Sequence, residues 1–349
     1  MKTAIVILNW NGADMLRRFL PSVLTNTPAT LADIVIADNG STDDSLAVLA
    51  SEFPELRVIT LDKNYGFAEG YNKALGQIGD CYDYYLLLNS DIETPEGWFQ
   101  PLADFMDTHA DVAACQPKLR AEHTPTHFEY AGGAGGYIDY LGYPFCRGRV
   151  FECVEEDRGQ YDIVTDVFWA TGAALMIRSQ SYWDVGGLDG RFFAHQEEID
   201  LCWRLRARGY RIVCVPQSLV YHVGGGTLPK ENPRKTFLNF RNNLLLLYKN
   251  LPDNRLRRVM FIRLWLDALA SIVFLAKGEL RSFRSVWQAR RAFRKMRSSF
   301  ADDRTANLAA TTVDHIPEQL SSSLLVAYYL KRQKTFDLLS FKQSFSSEF

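Results

Sequence analysis

Residues 84–91 read Tyr-Tyr-Leu-Leu-Leu-Asn-Ser-Asp, an apolar run that stops at three polar residues and is followed by a turn over residues 92–95. A parallel strand that is covered on both faces is hydrophobic along its whole length, and ligands bind beyond its carboxyl end. Asp91 stands at that end, where a hard oxygen ligand suits a divalent cation that holds a phosphate. The alternative is that Asp91 caps a helix beginning near Glu96.

The composition is that of a globular protein longer than a typical single domain. Of the 349 residues, 47% are hydrophobic and 23% are charged, and the formal net charge is -2. These values exclude a disordered chain and give no global signature of nucleic-acid binding, so no nucleic-acid partner is expected. We expect a catalytic domain over residues 1–250 and a helical C-terminal extension over residues 251–349.

The cysteines and the first residues favour a cytoplasmic protein. The six cysteines form no CxxC motif and no Cys/His cluster with zinc spacing, so we expect reduced thiols. The first apolar run covers only residues 4–8, which is too short for a signal peptide. Export is therefore not expected.

Short apolar runs alternate with amphipathic stretches in the first third of the chain. The apolar runs cover residues 4–8, 34–37, 58–61, 84–88 and 112–115. This alternation predicts an α/β fold with a mostly parallel, Rossmann-like sheet and helices on both faces. The carboxyl ends of such strands lie at one edge, and carboxylates that converge there need a cation or a hydrogen-bonding ligand. The polar residues expected at this edge are Asn9, Asp38, Asp62 and Asp91.

Two polar turns follow the second and third predicted strands. Asp38 precedes Gly40 in the first turn, and its carboxylate can hydrogen-bond a base or a ribose. The later residues of that turn cap the following helix. In the second turn, Asn64 offers an amide donor and acceptor, and Gly66 allows close approach of the backbone.

An acidic helix start lies farther along the chain. Glu197, Glu198 and Asp200 fall within the first turn of a predicted helix over residues 197–208, where the helix dipole favours acids. Three acids in four residues nevertheless exceed what a cap requires. A carboxylate at a helix N-terminus that faces a cleft is a credible general base, so we expect at least one of the three to be catalytic.

Two basic side chains have open roles. His222 precedes the glycines at 224–226, which suggest backbone approach to an anion, so a structural role and a metal or diphosphate role are both open. Arg241 opens an apolar helix, where it is either a charged terminal residue or a diphosphate clamp. Residues 129–151 are rich in glycine and predict a flexible loop able to close over a ligand.

Taken together, these segments make the chain resemble the inverting nucleotide-sugar glycosyltransferases of family 2, which have a GT-A fold, and in particular their rhamnosyltransferase-like bacterial branch. The resemblance covers roughly residues 3–250, and its motifs occur in the family's order. The matching segments are 5–12, 37–43, 64–67, 88–91, 171–173, 186–189 and 197–204.

The resemblance implies roles by position. Asp38 and Asn64 would hold the base and the ribose, and Asp91 would bind Mg²⁺ or Mn²⁺ on the diphosphate. Many members have two acids in the metal motif where this chain has Asn89 before Asp91, so His222 is a further candidate ligand. The acid that matches the family's base is Glu198, a position where Asp is commoner, which leaves Glu197 as a competitor. The remaining candidate donor-binding residues are Asn9, Gly66, Asn89 and Arg241.

The function implied is transfer of a sugar from a UDP- or dTDP-linked donor to a hydroxyl of a glycan or lipid-linked acceptor in cell-surface polysaccharide synthesis. Two alternatives compete with it. A sugar nucleotidyltransferase shares a similar sheet but usually needs a glycine-rich, basic N-terminal loop, which the chain lacks at residues 9–12. A non-catalytic sugar- or polymer-binding module is conceivable because Asn89 replaces an acid.

The extension contains a basic segment with an apolar helix. Residues 255–297 carry twelve basic and two acidic side chains. The helix at 259–276 is apolar except for Arg263, Asp267 and Ser271, which align as one polar stripe. An Arg and an Asp make spanning a bilayer expensive. Two interpretations remain: a helix buried with its stripe outward, or a helix lying on an anionic membrane surface.

Overall fold

The computed structural model describes residues 2–224 and 232–341. The strands in this part of the chain are β1 (Thr3–Asn9), β2 (Ala32–Asp38), β3 (Arg57–Thr60), β4 (Tyr84–Asn89), β5 (Ile92–Glu93), β6 (Val112–Ala121), β7 (Thr124–Phe128), β8 (Gly136–Asp139), β9 (Pro144–Cys146), β10 (Arg149–Val150), β11 (Cys153–Val154), β12 (Thr165–Asp166), β13 (Ala174–Arg178), β14 (Arg211–His222) and β15 (Gln319–Leu320). The α-helices there are α1 (Ala13–Asn26), α2 (Ser45–Glu52), α3 (Gly66–Ile78), α4 (Gln100–Thr108), α5 (Ser179–Asp184), α6 (Glu197–Ala207), α7 (Pro233–Asn250), α8 (Asp253–Ala276), α9 (Leu280–Met296) and α10 (Ala301–Ala309).

The main sheet has the order β12-β14-β6-β13-β4-β1-β2-β3, with β5 paired to β14 and β7 paired to β6. The pairs β1–β2, β1–β4, β2–β3 and β6–β14 are parallel. Strand β13 lies antiparallel between β4 and β6. The predicted α/β fold with a mostly parallel sheet is therefore confirmed.

Alternate residues of the central strands enter two different hydrophobic cores. Val6 and Leu87 lie in one core with side chains of α3, whereas Ile5 and Leu86 lie in the other with side chains of α1 and α4. Successive side chains of a strand point to opposite faces, so a strand with helices on both faces must be apolar at every position. This explains the unbroken apolar run of β4.

The glycine-rich region at residues 129–151 is not the flexible loop that its composition predicts. Strands β8, β9 and β10 lie there in a second sheet with the order β11-β10-β9-β8-β15. A Cβ added to Gly136 would lie 2.1 Å from the Trp169 ring, so this glycine is required by close packing. Most of residues 132–150 are buried.

Two local predictions also need correction. Helix α4 begins at Gln100 with Phe99 at its cap, so Asp91 does not cap it and that alternative is wrong. The extension is not helical throughout, because residues 321–341 form only short turns, a π-helical one at Val326–Leu330 and a 3-10 one at Phe336–Leu338.

The C-terminal helices pack on α7. The polar stripe of α8 faces the opposite way from one of the two interpretations of this helix. Arg263, Asp267 and Ser271 are buried, so the polar stripe of α8 faces inward. The interpretation with the stripe outward is therefore wrong. Strand β15 pairs with β8, so residues beyond 250 also complete the second sheet. The division at residue 250 stays a prediction.

Candidate active site

The strand ends of the main sheet do bring the predicted polar residues together. In the register of the sheet, Asn9 is paired with Asp38, and Leu8 is paired with Asn89. Nδ2 of Asn9 donates to Oδ1 of Asp38 at 3.1 Å, and Oδ2 of Asp38 accepts from the Ser41 amide at 3.0 Å. Asp38 is fully buried in this position.

Asn39 joins this pair to the next strand end. Its side-chain nitrogen donates to the Gly66 carbonyl at 2.9 Å, and its side-chain oxygen accepts from the Tyr65 amide at 3.0 Å. Oδ1 of Asn64 accepts from the Gly66 amide at 2.7 Å. Gly66 has φ +78°, and an added Cβ would lie 2.6 Å from the Phe193 carbonyl oxygen, so a larger residue is excluded.

Asp62 departs from the predicted convergence. It is exposed and accepts a hydrogen bond of 2.7 Å from the Tyr65 hydroxyl. The edge therefore gathers Asn9, Asp38, Asn64 and Gly66, whereas Asp62 contacts its own turn. Asn39 was not among the predicted site residues, although it directly follows Asp38 in the same turn.

Asp91 and His222 form a closely spaced charged pair near the end of β4. After Asp91 the chain crosses to pair β5 with β14, where Ile92 is opposite His222. As a result, Nε2 of His222 lies 3.1 Å from Oδ1 of Asp91. The side-chain nitrogen of Asn89 lies 3.4 Å from the same His222 nitrogen.

Glu129 lies beside the other nitrogen of the His222 ring, and no sequence pattern predicts it. Its Oε1 is 3.4 Å from Nδ1 of His222, a contact longer than a good hydrogen bond. Glu129 is buried and also accepts from the Ala131 amide at 2.6 Å. It directly follows β7, at the start of the region interpreted as a flexible loop, so no pattern pointed to it.

The two carboxylates determine the protonation of His222. Burial alone would lower its pKa, but the contacts with Asp91 and Glu129 raise the pKa of His222 to about 10. Burial would raise the pKa of Asp91, yet the hydrogen bond and charge of His222 bring that pKa below its ordinary value. These shifts make the pair an imidazolium and a carboxylate at neutral pH.

The donor set of this pair suits a divalent cation that a phosphate also binds. Within residues 2–224 and 232–341, no group of three or more His, Cys, Asp or Glu side chains could hold a metal by itself. Mg²⁺ is commonly held by one or two carboxylates together with substrate phosphates and waters, and Mn²⁺ accepts oxygen and imidazole ligands. Asp91 and His222 fit such a shared coordination shell.

The three acids at the start of α6 have different environments. Asp200 is fully buried and ion-paired, with Nζ of Lys249 and Nε of Arg204 at 2.8 and 2.9 Å from its Oδ2. Oε2 of Glu197 and Oε2 of Glu198 are both buried without a hydrogen-bond partner in the described residues. Glu197 is buried as a whole, whereas Glu198 is partly exposed. Asp200 is thus held by ion pairs, and Glu198 is the one of the three acids that is partly exposed.

The pKa values of these acids differ in the same way. Burial raises the pKa of Glu198 to about 7, although nearby backbone amides oppose the shift. Burial and then the charge of Glu198 raise the pKa of Glu197 well above its ordinary value. For Asp200, burial works upward, but Arg204 and Lys249 bring the pKa below its ordinary value. A carboxylate with a pKa near 7 is suited to act as a general base.

The backbone before α6 is strained. Phe193, His195 and Gln196 have φ values of 68°, 71° and 71°, which side chains other than glycine rarely adopt. Such strain persists only where the surroundings hold it, and it concentrates at functional sites. Here the side-chain nitrogen of Asn242 donates to the carbonyls of Ala194 and His195 at 2.8 and 2.7 Å.

Arg241 belongs to the same support. Its guanidinium donates to the Phe192 carbonyl at 2.7 Å and to the side chain of Asn242 at 2.8 Å. Burial lowers the pKa of Arg241 from its ordinary value. Arg241 therefore contacts the strained turn, and its role as a diphosphate clamp stays a prediction. The glycines at 225–226, beside His222, lie outside the described residues.

Residues 171–173 connect the acidic helix to the sheet edge. A Cβ added to Gly172 would lie 3.0 Å from the Phe67 ring and 3.7 Å from Cβ of Glu198. The next residue, Ala173, accepts a hydrogen bond from the Asn89 amide at 2.9 Å. Glu198 is therefore one short segment away from both the Gly66 turn and the end of β4.

Comparison with solved structures identifies the fold. The chain superimposes on the crystal structure of GalNAc-T7 with UDP, GalNAc and Mn²⁺ with a TM-score of 0.56 and 17% sequence identity, over 71% of this chain and 48% of that one. The common architecture is the GT-A fold of glycosyltransferases. The described fold and the predicted fold class therefore agree.

Sequence comparison agrees with a glycosyltransferase. Residues 4–144, less than half of the chain, match the profile of glycosyl transferase family 2, and this match and the relatives support a glycosyltransferase. The chain is 25% identical over 236 residues to N-acetylglucosaminyl-diphospho-decaprenol L-rhamnosyltransferase of Mycobacterium tuberculosis, which covers 62% of this chain and 75% of that protein. It is 24% identical over 225 residues to rhamnosyltransferase WbbL of Escherichia coli, over 62% and 82% of the two chains.

These similarities favour one of the functions considered from the sequence. A glycosyltransferase agrees with the first of them, and the sugar nucleotidyltransferase and the non-catalytic binding module are not supported. The roles of individual residues remain predictions.

Proposed function

We propose that the protein is an inverting, metal-dependent glycosyltransferase of cell-surface polysaccharide synthesis. Its donor would be a UDP- or dTDP-sugar, and its acceptor a hydroxyl of a glycan or of a lipid-linked saccharide. The observation that carries the proposal is that residues 171–173 lie beside Glu198 and are hydrogen-bonded to Asn89, which adjoins the Asp91–His222 pair. A cation site and a base are the two groups that single displacement at a sugar diphosphate requires.

The nucleoside of the donor would lie against the ends of β1, β2 and β3. Asp38 and Asn64 would contact base and ribose, because both sit in the hydrogen-bonded edge formed with Asn9. Gly66 leaves room for backbone approach. Asn89 and Arg241 complete the predicted donor contacts, with Asn89 next to the charged pair.

The diphosphate would lie at Asp91 and His222. These residues would hold Mg²⁺ or Mn²⁺, and Nε2 of His222 must lose its proton before it can be a ligand. When bound, the cation neutralises negative charge that develops on the leaving diphosphate. Glu129, beside Nδ1, would orient the ring, in the way that carboxylates commonly support metal-binding histidines.

Glu198 would accept the proton of the acceptor hydroxyl. As that oxygen forms its bond to the anomeric carbon, the bond from that carbon to the diphosphate oxygen breaks, and the electron pair leaves with the nucleoside diphosphate. The proton ends on Glu198. One displacement inverts the anomeric configuration, and a base with a pKa near 7 is half deprotonated at neutral pH.

The relatives support the choice of acceptor. One is named for a decaprenol-linked diphosphosugar acceptor, and others are named for O-antigen and succinoglycan biosynthesis. An acceptor with a lipid anchor stays at the membrane surface, so a transferase that uses it must work there. We therefore propose peripheral contact of a cytoplasmic enzyme with an anionic membrane as part of the function.

The test is release of nucleoside diphosphate from a panel of UDP- and dTDP-sugars, with Mg²⁺ or Mn²⁺ and with a chelator as the control. We expect metal-dependent release from at least one donor and loss of that release in Glu198→Gln. Release that the chelator does not affect would contradict metal dependence. Binding of donors without release, over the whole panel and with added lipid-linked saccharides, would contradict the enzyme function.

A further inference from the structure

The outward side of α8 is apolar. Its large exposed side chains are 46% to 64% accessible, whereas such residues usually face a core. They are Phe261, Trp265, Leu269, Ile272, Val273 and Leu275, here called the outer face of α8. Helix α8 is the one helix of the described residues that is long and apolar enough to cross a membrane.

The inward side of α8 is polar, and its contacts fix the helix. Residues 263, 267 and 271 are four apart and buried, and each lies about 200° around the helix from residue 265 or 269. Oδ1 of Asp267 lies 3.3 Å from the Arg263 guanidinium, and Oδ2 accepts from Arg290 of α9. Turning the apolar face inward would bury Trp265 only by stripping these charges of their partners.

Contacts with the catalytic part also hold α8. Arg263 donates to the Leu141 carbonyl at 2.9 Å and to the side chain of Asn243. Asn243 in turn donates to Gln196, the residue before the acidic turn of α6, at 3.0 Å. A helix tied in this way cannot leave the protein to span a bilayer without exposing Arg263 and Asp267 to hydrocarbon.

Both ends of the outer face are basic. Arg257 and Arg258 are exposed at the start of α8, and Lys277 and Arg281 are exposed just after its end. The surrounding segment 255–297 has twelve basic and two acidic residues. An apolar strip with a basic rim complements the acyl chains and anionic headgroups of a membrane surface.

A second copy of the chain suits this face less well. Two identical faces that meet in either direction bring basic ends against basic ends, and such juxtaposition is unfavourable. We propose that the outer face of α8 is the membrane-binding surface, lying in the plane of an anionic leaflet with Trp265 and Phe261 inserted among the lipids. The contact is insertion of apolar side chains, not only attraction of a basic segment.

This surface deepens the proposed function, on which its role in acceptor delivery rests. The ring of Phe274 in α8 lies 6.5 Å from that of Phe240 in α7, and Arg234 of α7 lies over the Phe193 ring. The Phe193 carbonyl accepts from the Phe67 amide beside Gly66. The C-terminal half of α8 therefore packs on the helix whose start contacts the Phe193 turn of the site, so membrane contact through α8 would bring a lipid-linked acceptor toward the site.

The experiment is flotation of the full chain with vesicles of phosphatidylcholine mixed with phosphatidylglycerol, compared with phosphatidylcholine alone. We expect binding to the anionic vesicles, and at least a roughly tenfold weaker partition for Trp265→Ser/Leu269→Ser. The matched control is Ile163→Ser/Val164→Ser, which removes two exposed apolar side chains elsewhere and should bind as the wild type does. Brominated acyl chains should quench tryptophan fluorescence less in Trp265→Phe, which still binds.

Three results would overturn the proposal. The first is wild-type binding to vesicles by the Trp265→Ser/Leu269→Ser variant. The second is loss of vesicle binding only in the Ile163→Ser/Val164→Ser control. The third is a wild-type dimer in light scattering that Trp265→Ser/Leu269→Ser turns into a monomer without a change in vesicle binding. Donor hydrolysis without vesicles separates this surface from the enzyme function. The α8 variant should release nucleoside diphosphate at the wild-type rate, and failure of every protein to do so would count against the proposed function alone.

Discussion

The molecule contains two groups of buried charged side chains, which differ in how completely their charged atoms are paired. At the start of α6, charged atoms are left without a partner, since Oε2 of Glu197 and Oε2 of Glu198 have no hydrogen bond in the described part of the chain. In α8, both oxygens of Asp267 are paired with arginines. The first group keeps capacity for a ligand, and the second uses its capacity inside the protein.

The difference shows what burial of a charge means for function. A paired buried charge mainly fixes orientation, and removing one partner destabilises the fold. A buried carboxylate without a partner has a raised pKa and can exchange a proton with a substrate. Asp200 and Glu198 show both outcomes two residues apart on one helix.

The largest expected effect is at Asp91. Asp91→Ala should abolish transfer and metal-dependent binding of nucleoside diphosphate together, because it removes the carboxylate that would hold the cation. Calorimetry with and without Mn²⁺ measures the binding. Asp91→Asn is the matched variant, which keeps a hydrogen-bonding group beside His222 and removes the charge. Unchanged metal-dependent binding in folded Asp91→Ala would place the cation elsewhere.

Glu198→Gln should lower turnover by roughly two to four orders of magnitude, the usual contribution of a general base, while donor affinity is kept. Glu197→Gln is the comparison on the same turn, and it should retain most activity because its side chain is buried. Steady-state kinetics at saturating donor give both values. If Glu197→Gln were the inactive variant, the base would be assigned one residue away from its true position.

A substitution in the paired group around Asp267 should lower the free energy of unfolding and should not alter the catalytic step. Asp267→Ala leaves Arg263 and Arg290 buried without their carboxylate and should cost about 3–5 kcal/mol in the free energy of unfolding. Glu156→Ala, which breaks an exposed pair with Arg158, should change the free energy of unfolding far less, because solvent screens an exposed pair. Urea denaturation measures both. Equal costs would remove the distinction between the two kinds of charge.

The sequence predicts the edge of the sheet well because the signal there is local. The apolar run of β4 must be followed by polar residues where the strand leaves the core, and parallel strands bring such ends together. Asn9, Asp38, Asn64 and Asp91 were found in this way. Glu129 was not, because its contact with His222 joins residues 93 positions apart and no periodic pattern records it.

The inverted α8 shows the opposite limit. Its polar stripe was visible in the sequence, but the stripe alone does not say which side faces inward. That depends on Arg290 of α9 and on the Leu141 carbonyl, which are distant in sequence. The second sheet was missed for a similar reason, since β8 and β9 are short and lie in a glycine-rich region, and β15, the partner of β8, comes from residues near 320.

A smaller effect is expected at Glu129. Glu129→Gln keeps an oxygen for the Ala131 amide but removes the charge beside Nδ1 of His222. Metal affinity should fall by about 10- to 100-fold, as is usual for carboxylates that support a metal-binding histidine. Binding of nucleoside diphosphate without metal should be unchanged. An unaltered affinity for Mn²⁺ would mean that His222 is not a ligand or that Glu129 does not orient it.

The smallest effect is a pH dependence, and it separates the base from the metal site. Because burial raises the pKa of Glu198 to about 7, the side chain is protonated and inactive as a base below that pH. At saturating metal, kcat/KM should therefore fall about tenfold per pH unit below 7 and level off above it.

The same pKa shift also affects stability. It makes the folded state hold a proton that the unfolded state loses, so the contribution of Glu198 to stability should fall as pH rises from about 4.5 to about 7. In Glu198→Gln both dependences should disappear, whereas in Glu129→Gln the acidic limb of the rate should remain. A limb that persists in Glu198→Gln would belong to His222 or Glu197, and Glu198 would then not be the base.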